Sequence, residues 1–208
     1  MRDRSPWHDA TLRRQARELT PAAHRWRRRW VACHEAGHFL VAAYLGHLPA
    51  SIGIDVGTLM RSGLVRTGSR SRALSPTAWG AVLLAGGLAQ RRLGVPDTLG
   101  TEQDQEQFTA LGLTSSEARR ARRLAEQVLD RVWPDVEPLA EAVAEHTVLA
   151  GETALAYLLA LRAPAEEASR AISDGDLVGS YAVLVDARQG RDPGLEPPVP
   201  VGPDGNPA

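Results

Sequence analysis

Apolar residues recur along this chain at helical spacing for most of its length. Between Thr20-Pro21 and Gly46, Trp26, Trp30, Cys33, Gly37, Leu40 and Tyr44 fall at steps of three and four, so one stripe of a helix can face a core. Thr20 followed by Pro21 makes a good helix start, and Gly46 a good stop. The pattern then changes. Ser51 to Val56 is a short β-rich run with glycines, and Ser62 to Thr67 offers a second strand. Helical spacing resumes at Ser75-Pro76 and runs to about Gly94. A short helix is expected from Thr101 to Gly112. A long one, capped by Ser115 or Ser116, should run to Trp133 and break at Pro134. Helices across 136–146 and 152–162 follow, and Pro164 is expected to close the ordered part.

These elements predict a mainly α fold: a compact helical domain over residues 20–162, with a small β-hairpin or short sheet. A basic arm over 1–19 precedes it, and an acidic, Pro/Gly-rich tail over 163–208 follows, expected to be disordered. Charge supports this division. Residues 1–29 carry a net +6, residues 163–208 a net −5, and the whole chain −1. The basic head could meet an acidic partner, a nucleic acid or the acidic tail. In Arg25-Trp26-Arg27-Arg28-Arg29-Trp30 both tryptophans fit the apolar stripe, so a solvated basic face is favoured over a nucleic-acid platform.

Composition removes several classes of chemistry. All 24 basic residues are arginine, so a phosphate loop that needs lysine and a Schiff-base mechanism are both excluded. One cysteine, Cys33, permits no internal disulfide and no cysteine-rich zinc finger. Apolar runs such as Phe39–Tyr44 and Ala81–Leu84 are far shorter than the roughly 20 residues that span a bilayer. No apolar leader is visible in residues 1–10, so a cytoplasmic location without a membrane span is expected.

His34-Glu35-Ala36-Gly37-His38 lies in the middle of the first helix. Residues four apart share a helix face, so the two imidazoles can meet on one metal ion. Glu35 stands beside the first ligand and can take a proton from a metal-activated water as general base. A catalytic site needs a third protein ligand. His47, His146 and Asp104 in the acidic run Glu102–Glu106 are the candidates. The longer pattern with glycine at 41 and histidine at 44 is absent, because Val41 and Tyr44 stand there. Gly86-Gly87 inside a helix points to a close helix contact, expected behind the metal-binding helix. Ser51 to Val56 could be an edge strand that pairs with an extended substrate.

Four stretches in this order are similar to the peptidase domain of the FtsH-type metalloproteases. They are His34–His38 with Phe39-Leu40-Val41, Leu84–Gly94 with its Gly-Gly pair, Gly100–Asp104, and Glu145–Glu152. The resemblance covers about residues 30–160. It implies Zn2+ as cofactor, His34, His38 and Asp104 as its ligands, and Glu35 as catalytic base. It also implies a zinc metalloendopeptidase acting on polypeptide substrates. The family's ATPase module has no counterpart in these residues, so unfolded segments, or segments delivered by an AAA+ unfoldase in trans, are the expected substrates. Assembly with further copies of the chain stays open. The alternative is a non-catalytic, metal-containing binding protein whose arginine-rich head contacts nucleic acid or an acidic partner.

Overall fold

The structure, a computed structural model, describes residues 21–54, 66–67, 74–94 and 101–189. The expected arm over 1–19 and the chain from 190 onward lie outside these residues. Seven helices and three short strands are present among the described residues.

The central helix α1 runs Pro21–Tyr44. From Ala32 to Ala43 it is buried all round, which is the behaviour of a helix enclosed by its neighbours. It ends in a Schellman turn: Gly46 has φ 88°, Gly46 N–H donates to Ala43 O and His47 N–H donates to Ala42 O. Helix α2, Pro76–Arg92, starts as expected with Ser75 as cap, its Oγ accepting from Ala78 N–H at 3.2 Å. It crosses α1 very closely. A Cβ on Gly37 would lie 2.9 Å from both the Ala85 carbonyl oxygen and Ala89 Cβ.

Strand β1, Pro49–Gly53, is the middle of a three-stranded antiparallel sheet. It pairs with β2, Arg66–Thr67, on one side and β3, Val148–Ala150, on the other. Of the two expected strands, the parts at 55–65 lie outside the described residues. The expected free edge at Ser51 is absent, because Ser51 pairs with both Arg66 and Ala150.

Helix α3, Glu102–Ala110, buries none of its own residues and rests on α2. Helix α4 corrects the expected break at Pro134. It runs unbroken over Ser115–His146, and its cap is Thr114, whose hydroxyl accepts from Glu117 N–H while Glu117 accepts from Thr114 N–H. Pro134 and Pro138 both lie inside it. Pro138 lacks the N–H that would have bonded the Pro134 carbonyl, and Arg162 Nη2 donates to that carbonyl instead, at 2.8 Å. The buried stripe Val128, Val132, Val136, Leu139 and Val143 continues through both prolines and holds the helix to the core.

Helix α5, Gly151–Arg162, is as expected. The disordered tail expected from residue 163 is not what the structure has up to residue 189. Residues 165–188 form α6, Ala165–Asp174, and α7, Leu177–Arg188. Helix α7 buries Leu177, Tyr181, Leu184 and Val185, a helical stripe, against the core. Several acids that made this region look like a solvated tail start helices instead. Glu166 and Glu167 lie in the first turn of α6, and Asp176 caps α7 by accepting from Gly179 N–H. A polar network clamps α7. Asp135 of α4, 0% exposed, accepts from Tyr181 Oη at 3.0 Å and from Arg188 Nη1 at 3.1 Å, and lies 3.3 Å from Arg162 Nε.

Candidate metal centre

His34 and His38 stand one turn apart on α1, with their rings edge to face at 4.6 Å. Their Nε2 atoms are 2.9 Å apart. Asp104, in the first turn of α3, brings Oδ2 to 3.0 Å from His34 Nε2 and 3.2 Å from His38 Nε2. Both histidines are buried, and the Asp104 side chain is 20% exposed. Among the described residues this is the group whose ligand atoms gather closely enough to hold a metal ion.

The surroundings aim these atoms. His38 Nδ1–H donates to the Val82 carbonyl at 2.6 Å, which leaves the Nε2 lone pair directed into the cluster. His34 Nδ1 is buried without a hydrogen-bond partner. Gly86 of α2 faces the same two rings. A Cβ there would lie 2.4 Å from His38 Nε2 and 2.7 Å from His34 Nε2. The glycine therefore clears space at the ligand atoms of the imidazoles, on the face where Gly37 lets α1 approach α2 closely, and not behind the metal-binding helix as expected.

Burial alone would lower the His38 pKa, but the hydrogen bond and charge of Asp104, with Glu35 nearby, push it up to about 9. Burial alone would raise Asp104, yet the His34 and His38 hydrogen bonds hold its carboxyl well below the usual carboxylate range. Both directions express one fact: three electron-pair donors converge and call for positive charge. Donor atoms around a tetrahedral ion at roughly 2.0–2.1 Å sit about 3.3 Å apart. The observed 2.9 to 3.2 Å separations need only a small opening to admit one. Two imidazoles and one carboxylate are also a donor set that leaves a fourth position free.

Glu35 is 3% exposed, and its Oε1 lies 3.9 Å from His34 Nε2. The structure brings together His34, His38 and Asp104, with Glu35 beside them. It leaves out the other third-ligand candidates. His47 is buried against the Trp79 ring, 5.5 Å away, and His146 is exposed at the end of α4. Cys33 is buried, and burial pushes its thiol up to about 11, consistent with a packing role. Sequence reasoning missed the Val82 carbonyl, since a backbone acceptor leaves no residue-type signal. The end of the basic head contacts α4: Arg28 Nη2 donates to Ala144 O at 2.7 Å and the exposed Arg29 pairs with Glu137, while Trp30 is buried. No helix among the described residues is long and apolar enough to cross a membrane. Comparison with family models, curated proteins and solved structures finds no match to this chain.

Proposed function

We propose that this chain is a zinc-dependent endopeptidase that hydrolyses peptide bonds in unfolded or partner-delivered polypeptides. The observation that carries this reading is the convergence of His34 Nε2, His38 Nε2 and Asp104 Oδ2 within 3.2 Å, with the Glu35 carboxylate 3.9 Å from His34. The resemblance of residues 30–160 to FtsH-type peptidase domains supports it. His34, His38 and Asp104 would hold the ion. When bound, zinc supplies a water acidified to a pKa of about 7 and polarises the scissile carbonyl.

Glu35 is the proton carrier. Its buried carboxylate accepts a proton from the attacking water as the new C–O bond forms. It returns that proton to the leaving nitrogen as the C–N bond breaks, so the products are a free acid and an amine. The Val82 carbonyl keeps His38 in the tautomer that presents Nε2. Gly86 keeps the approach to both rings open.

The test uses the full chain loaded with zinc and casein as an unfolded substrate. Wild type is expected to cleave casein. Glu35→Gln is expected to hold the same amount of zinc and to lose roughly 10²–10⁴-fold in rate. Equal cleavage by both proteins overturns the role of Glu35. Zinc in both and cleavage by neither favours a metal-containing binding protein.

A further inference from the structure

A cavity of about 280 Å³ opens between α2 and α3, and Asp104 forms part of its wall. This volume lies just below the roughly 300–1,000 Å³ of sites that take whole small molecules, and suits one or two side chains of a longer ligand. Its lining has two characters. Leu83, Leu84 and Leu88 of α2 and Phe108 of α3 make an apolar wall. Arg91 of α2 and Arg122 of α4 line the same cavity and are exposed. Arg122 pairs with Glu126 four residues along, at 3.1 Å, with both side chains about half exposed. Such a surface pair is weak, so the guanidinium can be redirected to an incoming carboxylate.

We propose that this cavity is a substrate subsite that takes an apolar side chain and a carboxylate standing next to each other in the peptide. Leu83, Leu84, Leu88 and Phe108 hold the apolar group, and Arg91 and Arg122 receive the carboxylate. Segments such as Leu-Glu or Phe-Asp beside the scissile bond are then favoured over those with lysine, which would meet two like charges. This subsite rests on the peptidase reading, because Asp104 is shared between the cavity wall and the metal cluster.

Three peptide hydroxamates test it, carrying Leu-Glu, Leu-Lys and Ala-Glu behind the metal-binding head group. Their affinities for the zinc-loaded full chain are measured by calorimetry. Leu-Glu is expected to bind at least about tenfold more tightly than Ala-Glu, the discrimination a pocket gives for missing methylenes. It is expected to bind severalfold more tightly than Leu-Lys, with the gap shrinking as salt rises. Arg91→Gln/Arg122→Gln changes only exposed positions. It is expected to erase the Glu-over-Lys preference and keep the Leu-over-Ala preference. Leu88→Asn, which removes apolar surface and adds no charge, should do the reverse. Equal zinc-dependent affinity for all three probes overturns the subsite and leaves the peptidase reading standing. Absence of zinc-dependent binding by any probe overturns both.

Discussion

Two buried polar clusters, both built around an aspartate, are opposite in charge design. Around Asp135 the protein supplies permanent cations: Arg162 and Arg188 face the carboxylate, and the Tyr181 hydroxyl donates to it. Every electron pair there has a partner from the chain itself. Around Asp104 the chain supplies two imidazoles, and no arginine is paired with its carboxylate among the described contacts. A buried carboxylate is expensive unless its charge is answered. The first cluster is closed by guanidinium groups and serves to fasten α7. The second is closed only when a proton or a metal ion enters it, and this incompleteness is what makes it the candidate site.

The comparison breaks most sharply by exchange of the two acids. Asp104→Asn removes one charged donor from the open cluster, so zinc affinity should fall by more than the 10–100-fold that follows loss of an outer-shell partner. The helical fold should persist, as judged by circular dichroism. If Asp104→Asn keeps full affinity while His47→Ala loses it, the ligand assignment is wrong. Asp135→Ala should act on the fold instead. It strands two guanidiniums, but these are about one-third exposed and can rehydrate, so the loss belongs near the low end of the buried-pair range, about 3 kcal/mol. Denaturant titration would read this, and zinc stoichiometry of the folded fraction should not change.

Gly86→Ala sharpens the comparison from the side of space rather than charge. Alanine favours a helix by roughly 1 kcal/mol over glycine. Here its methyl would stand within 2.4 Å of His38 Nε2. Zinc affinity, measured against a chelator, should fall by about 10–100-fold, as for other disturbances of ligand orientation. An unchanged affinity would show that the rings can move aside freely.

The smallest expected effect is on the pH profile of the metal-free protein. The His38 pKa stands near 9 in the fold against an ordinary 6.5, so its proton stabilises the fold fully below pH 6.5 and ceases to do so as pH rises through 9. The Asp104 pKa is lowered from 3.8, so its contribution is present above that value and fades in stronger acid. Melting temperature of metal-free protein should therefore decline from pH 6.5 to 9. A zinc-loaded sample should show less of this decline, and equal slopes would contradict proton–metal competition at His38.

What the sequence revealed follows from the range of the interactions involved. The Ser75 cap, the Gly46 stop and the pairing of His34 with His38 are set within one or two turns, and each was legible. Asp104 lies 70 residues from His34; the ligand count made it one of three candidates, and the resemblance singled it out. The Pro134 carbonyl that Pro138 leaves without a helical partner is answered by Arg162, 28 residues away, which no local rule contains. Helix α7 was different: Leu177, Tyr181, Leu184 and Val185 already carried the helical stripe, but the acidic balance of the region concealed it.

The 70-residue separation between His34 and Asp104 has a thermodynamic consequence of its own. An ion shared by these residues closes a long loop of chain, as a disulfide would. Loops of such length forfeit on the order of 4 kcal/mol of chain entropy in the unfolded state when they are cross-linked. A chain whose lone cysteine is free can make no such staple from sulfur. The nine residues of α3, none buried, are also too few to stay helical in isolation. An ion held there would thus be the clasp that pins α3 to α1. Chelation would then release that helix as well as stop the proposed hydrolysis.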